Sequence, residues 1–187
     1  MESSMTLPSH DEAVDATRLW LEKAVIGLNL CPFAKAVHKK GQVRYVVSDA
    51  TQPLALLDDL KRELEHLRDV DPAATDTTLL IHPGVLGDFD DFNEFLEVAD
   101  LAVDDLGLDG EIQVASFHPD FQFEGTAPDD ITNYTNRSPF PTLHLLREDS
   151  IDKAVAAFPE ASAIFEANMA TLDTLGHAGW KKLFAGE

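Results

Sequence analysis

Three groups of side chains in this sequence have the types and spacing for chemistry. The first is a pair of histidines, His82 and His118, each followed by proline at the end of an apolar run, in LLIHP and ASFHP. Proline cannot donate to a sheet ladder, so Pro83 and Pro119 mark where two strands stop. If those strands run parallel, both imidazoles project from the carboxyl edge, where open α/β sheets bind ligands. Adjacent strands lie about 4.8 Å apart, so the rings would converge. An imidazole titrates near neutrality, which suits His118 to general acid or base work with His82 beside it. The alternative is that each ring caps a backbone carbonyl in its own loop. Adding Asp120 gives a candidate metal set of His82, His118 and Asp120, although no close-spaced ligand motif such as HExxH is present.

The second group is Leu30-Cys31-Pro32-Phe33. With Pro32 opening a short helix, Cys31 falls at the N-cap, where amide dipoles favour a thiolate and Lys35 lies one turn on. Cys31 is then a candidate nucleophile, with His82 or His144 as its base. The alternative is an inert, buried thiol. The third group is Asn133-Tyr134-Thr135-Asn136-Arg137-Ser138-Pro139. A guanidinium holds a carboxylate or phosphate by two parallel hydrogen bonds, so Arg137 is the candidate anion clamp. Tyr134, Thr135, Asn136 and Ser138 would complete the substrate-binding set. The alternative has Arg137 tying down its own loop through Asp129, Asp130 or backbone carbonyls.

These residues need elements to position them. A helix is expected from Asp11 to Leu30, with Val14, Leu21, Ala24, Val25 and Leu28 on one face, and a short basic helix from Pro32 to Lys39. QVRYVVS (42–48), TTLLI (77–81) and EIQVASF (111–117) read as strands. A leucine-faced helix capped by Thr51 separates the first two, and a helix opening with Asp88, Asp90 and Asp91 separates the last two. Thr142 to Arg147 reads as strand or short helix. Ser150 caps a helix to Phe158, and another is expected from Pro159 to Leu175, stopped by Gly176. Strands alternating with helices imply crossover units. The expected fold is therefore α/β, a single-domain sheet of at least three mostly parallel strands covered by helices. It carries a long ordered loop after the third strand, rich in Phe117, Phe121, Phe123, Tyr134 and Phe140. Residues 1–10 form a flexible lead-in, and residues 11–187 the one domain.

The 187 residues carry 14 basic and 34 acidic side chains, a formal charge of −20. Such a field repels nucleic acid and anionic membranes, which excludes both as expected partners. The single cysteine excludes an internal disulfide and fits a reducing compartment. The amino terminus lacks the basic-then-apolar pattern of a secretory signal, and no apolar run is long enough to span a bilayer. The chain is thus expected to be soluble and cytoplasmic. No Walker, dinucleotide-binding or nucleophile-elbow pattern is present, and the sequence names no cofactor.

The stretches WLEKAVIGLNLCPFAKAV, QVRYVVS, DFDDFNEFLEVAD and QVASFHPDFQFEGTAPDDITNYTNRSPFPTLHLLRE closely resemble DUF1415, a bacterial family of unknown function. The resemblance runs from about Thr17 to Trp180. It implies a stand-alone single-domain protein and brings no activity with it. Its motifs fall on Cys31, His118, Tyr134, Asn136, Arg137 and His144. The expectation from the residues is a small-molecule enzyme with a Cys/His/Arg cleft at the carboxyl ends of the strands, acting on an anionic substrate. The alternatives are a metal-binding protein with His, Cys and Asp ligands, and a non-catalytic ligand-binding or interaction module.

Overall fold

The computed structural model describes residues 6–157, 160 and 163–185. The expected helix boundaries at Phe158 and Pro159, and the first half of the lead-in, lie outside them.

Helix α1 (His10–Trp20) starts in a reciprocal cap, in which Ser9 Oγ accepts from the Glu12 amide and Glu12 accepts from the Ser9 amide. It passes directly into a π-helical stretch, Leu21–Ile26. The amides of Gly27 and Leu30 reach back five residues, to the carbonyls of Glu22 and Val25. A Cβ at Gly27 would strike the Lys23 carbonyl, so the wide turn requires glycine there. Asn29 then turns the chain with φ 54°, a conformation asparagine tolerates. Helix α2 (Ala34–Lys39), strand β1 (Val43–Val47), helix α3 (Pro53–Asp69) and strand β2 (Thr77–Ile81) follow. Helix α4 (Phe89–Asp105) is capped by Asp88, which accepts from the amides of Asp90 and Asp91. Strand β3 (Ile112–Phe117) leads into the long loop, which contains a 3-10 helix at Ile131–Asn136. Strand β4 (Thr142–Arg147) runs straight into α5 (Glu148–Ala157), and α6 (Ile164–Phe184) completes the chain with a kink at Gly176.

The four strands form one sheet in the order β1-β2-β4-β3. Strands β1 and β2 pair in parallel, whereas β4 pairs antiparallel with both β2 and β3. The expectation of a mostly parallel sheet is therefore corrected. Strands β1, β2 and β3 do share a direction, but the segment at 142–147 is a strand. It inserts between β2 and β3 and replaces their parallel pairing with two antiparallel ones.

Side chains alternate across a strand, so each strand divides its residues between two layers. Leu80, Ile112, Leu143 and Leu145 face α3 and α4, in a core with Leu56, Leu60, Leu64, Phe92 and Phe95. Tyr45 and Phe117 face the other way, toward the π-helical stretch and α6, in a second core with Trp20, Leu21, Val25, Leu172 and Trp180. The second layer leaves a space against the sheet.

Candidate functional site

That space is a cavity of about 460 Å³. Its floor is one face of the sheet: Val43, Thr77, Leu79, Gln113, Ala115, Phe117, His144 and Leu146. Its roof comes from Trp20, Leu21 and Val25 at the π-helical stretch, from Cys31, Phe33, Ala34 and Val37 around α2, and from Ile151 and Ala154 on α5. Thr135 and Asn136 close it near the carboxyl edge, and Asn168 of α6 also lines it. Its size falls within the range of small-molecule sites, which are mostly apolar with a few placed polar groups.

His144 is the polar centre of the floor, paired across the sheet with Leu79 on one side and Ala115 on the other. Its protonation pattern follows from its neighbours. The Thr77 hydroxyl has one proton and donates it to the Leu145 carbonyl, 2.7 Å away. The 2.6 Å contact between Thr77 Oγ1 and His144 Nε2 therefore needs the proton on Nε2. Nδ1 is left as an acceptor with no partner among the described residues, and it retains accessible surface. The ring lies deep beneath the helical layer, and burial pushes its pKa down to about 4. Its accessible surface is that of the cavity.

Cys31 lines the same cavity, half-buried. It is not the N-cap of α2. That helix begins at Ala34 with Phe33 as its cap, because the residues after the π-helical stretch complete a turn in which the Ala34 amide bonds the Cys31 carbonyl. The expected thiolate activation by the helix end is thus withdrawn, and a six-residue helix has little dipole to offer. Cys31 keeps a partly accessible thiol in the cavity that His144 also lines.

His82 and His118 stand at the carboxyl edge as expected, but on the far side of the sheet from Cys31 and His144. The reason is alternation: His82 follows Leu80, and His118 follows Ser116, on the face covered by α3 and α4. The two rings converge on Phe92, at 5.6 and 5.0 Å between centroids. His82 Nδ1 donates to the Val85 carbonyl, and its Nε2 is buried without a partner. Burial pushes the His82 pKa down to about 4. His118 Nδ1 accepts the Asp120 amide, so Nε2 carries the proton and donates to the Leu86 carbonyl at 3.0 Å. Burial lowers the His118 pKa as well. Both rings pin the turn before α4, where Leu86 sits at φ 59°. The single Cys/His/Arg cleft is therefore corrected: Cys31 and His144 line the cavity, while His82 and His118 lie across the sheet from them. The metal set of His82, His118 and Asp120 does not assemble either. Asp120 meets His118 through its amide, and no three His, Cys, Asp or Glu side chains among the described residues are placed to hold an ion.

The long loop is held by its own polar groups. Arg137 Nε donates to the Phe121 carbonyl and Nη2 to the Pro128 carbonyl, while the guanidinium stacks 4.5 Å above Tyr134. Tyr134 packs in turn on His177 and Trp180 of α6. The Ser138 hydroxyl donates to the Phe140 carbonyl, and the Thr135 hydroxyl to Thr132. Asn136 Nδ2 donates to the Ser116 carbonyl. Of the expected substrate-binding set, then, Thr135 and Asn136 reach the cavity, while Tyr134, Arg137 and Ser138 are engaged within the loop and with α6.

Trp20, Thr77 and Asn168 belong to the cavity and were not picked out in the sequence. Trp20 Nε1 is buried without an acceptor, and Asn168 donates to the Leu30 carbonyl. The signal for Trp20 was present in the apolar spacing of Trp20, Leu21, Ala24 and Val25. None marks Asn168, which approaches from across the molecule.

Fold and cavity together define an α/β protein with an open mixed sheet and a ligand-sized interior space beneath one face of it. The chain belongs to DUF1415, a family of proteins of unknown function, whose model matches residues 12–182. Neither a curated protein nor a solved structure matches the chain. No helix among the described residues is long and apolar enough to cross a membrane.

Proposed function

We propose that this protein binds a predominantly apolar small molecule in the cavity between the sheet and the layer formed by the π-helical stretch, α2, α5 and α6. The observation that carries this reading is the cavity itself: about 460 Å³, with mostly apolar walls and His144 at the centre of its floor. Burying apolar ligand surface against such walls gains about 25 cal/mol per Å². The anionic substrate expected from Arg137 has weaker support, since that guanidinium already serves loop carbonyls. A ligand of this kind is the expected partner, and the unpaired Cys31 suits a reducing cytoplasm.

A second reading makes the cavity an active site. Cys31 and His144 both line it, and Nδ1 of His144 has a free lone pair. Cys31 would be the nucleophile and His144 its general base.

Both readings require the Cys31 thiol to share the cavity with the ligand. N-ethylmaleimide is expected to alkylate Cys31 in the folded protein. Saturating 1-methoxynaphthalene, a neutral probe small enough for the space, is expected to slow that reaction severalfold. An unchanged rate with the probe bound elsewhere, or no binding of the probe, would overturn the proposal.

A further inference from the structure

The occupant of the cavity can be described more closely, on the premise that the cavity binds a ligand at all. His144 offers Nδ1 as an acceptor in a mostly apolar space. The direction of that nitrogen's chemistry is set by the protein. Leu145 takes the Thr77 proton, Thr77 takes the His144 Nε2 proton, and Nδ1 can then only accept. Nδ1 keeps its accessible surface inside the cavity, and no side chain among the described residues donates to it. A ligand that brings a donor pairs with that nitrogen, and one that brings only an acceptor meets a lone pair.

Charge narrows the choice further. Arg147 also lines the cavity; its Nη2 donates to the Val70 and Thr75 carbonyls, and its Nε is buried without a partner. Alternation places its side chain on the opposite face from His144 and Leu146. Asp76 stands at the amino-terminal edge of β2, where the Ser150 hydroxyl donates to it at 2.6 Å. An anionic head group beside His144 would find the Arg147 guanidinium directed to the opposite face of the sheet and the Asp76 carboxylate in the cavity lining. We propose that the ligand is a neutral, largely apolar alcohol or phenol whose hydroxyl donates to His144 Nδ1, with its hydrocarbon body against Leu79, Ala115, Phe117 and Leu146.

The test compares 1-naphthol with its methyl ether, 1-methoxynaphthalene, by titration calorimetry against the native protein and His144→Phe. The ether cannot donate, and phenylalanine cannot accept. The preference of the native protein for naphthol over the ether is expected to fall about tenfold in the variant, while the ether binds both proteins with similar affinity. Retained ether binding also shows that the variant is folded. If His144→Phe does not fold, the ring nitrogen resonances of His144 in the native protein decide the matter. Nδ1 is expected to move toward its hydrogen-bonded position with naphthol and to stay with the ether. Binding of both compounds with a preference that the variant leaves unchanged, or with no Nδ1 response, would overturn the assignment of the hydroxyl and leave the cavity proposal standing. Failure of both compounds to bind would remove the two together.

Discussion

Asn133→Leu is expected to destabilise this protein by about 2–4 kcal/mol. Asn133 is fully buried in the 3-10 helix. Its Oδ1 accepts the Phe123 amide at 2.9 Å, and its Nδ2 donates to the Ala127 carbonyl at 2.9 Å. The Thr126 hydroxyl lies 2.9 Å from the same Oδ1 and 2.7 Å from the Phe123 carbonyl, sharing one proton between them. Leucine has similar bulk and none of these bonds, so the Phe123 amide would be left without a partner and the Ala127 carbonyl would keep only the Asp130 amide. A buried donor left without a partner costs about 1–3 kcal/mol, and the lost Ala127 and Thr126 bonds add to it. The loop would open between Phe123 and Asn133, and Arg137 would lose the fixed carbonyls of Phe121 and Pro128. Urea unfolding of the variant measures the loss, and amide exchange of residues 121–137 locates it. A loss under about 1 kcal/mol would mean that the loop is held by its aromatic contacts with α6 instead.

Acid is expected to produce the second large effect. His82 and His144 both have folded pKa values near 4, held down by burial, against about 6.5 in an unfolded chain. Between these values the unfolded chain binds more protons, so protons favour unfolding. The stability contributed by the two neutral rings is complete above about pH 6.5 and is lost as the pH falls toward 4. The loss is on the order of 3 kcal/mol for each ring. The lowered pKa of His118 acts in the same direction. Acidification also relieves the self-repulsion of a chain with formal charge −20, which works the other way and is screened by salt. The measurement is therefore urea unfolding at about 0.5 M salt, at roughly pH 7 and pH 4.5. The midpoint is expected to drop sharply between them. A midpoint that holds steady or rises would show that the imidazoles are not neutral and buried as described.

Much of the element order was legible because it is written in local pattern. The β-rich runs at 43–47, 77–81 and 112–117 and the leucine and phenylalanine faces of α3 and α4 need only their own residues to be recognised. The sheet order was not legible. Nothing within 142–147 says that this strand enters between β2 and β3, since that choice is made by the path of the long loop. The π-helical stretch was hidden for a related reason: its wider turn leaves the same apolar spacing as an α-helix over six residues, and it moved the start of α2 past Cys31.

The candidate site was half legible. His82 and His118 are at the strand ends, as their prolines announced. Counting by twos from Leu80 and from Ser116 would have placed both rings under α3 and α4. The same count along Leu143, His144 and Leu145 sets the histidine opposite two fully buried leucines, on the other face of the sheet. Arg137 could be read as a clamp or as a tie, and its carbonyl partners at Phe121 and Pro128 depend on a loop conformation that no spacing encodes.

Where an apolar ligand sits on the folded protein tests the central claim most directly. With methyl-labelled protein and 1-methoxynaphthalene, nuclear Overhauser contacts are expected from ligand protons to the methyls of Leu79, Ala115 and Leu146 on the cavity floor and Val25 on its roof. Contacts confined to the exposed side chains Leu54, Leu101 and Phe165, with none to the floor, would contradict it.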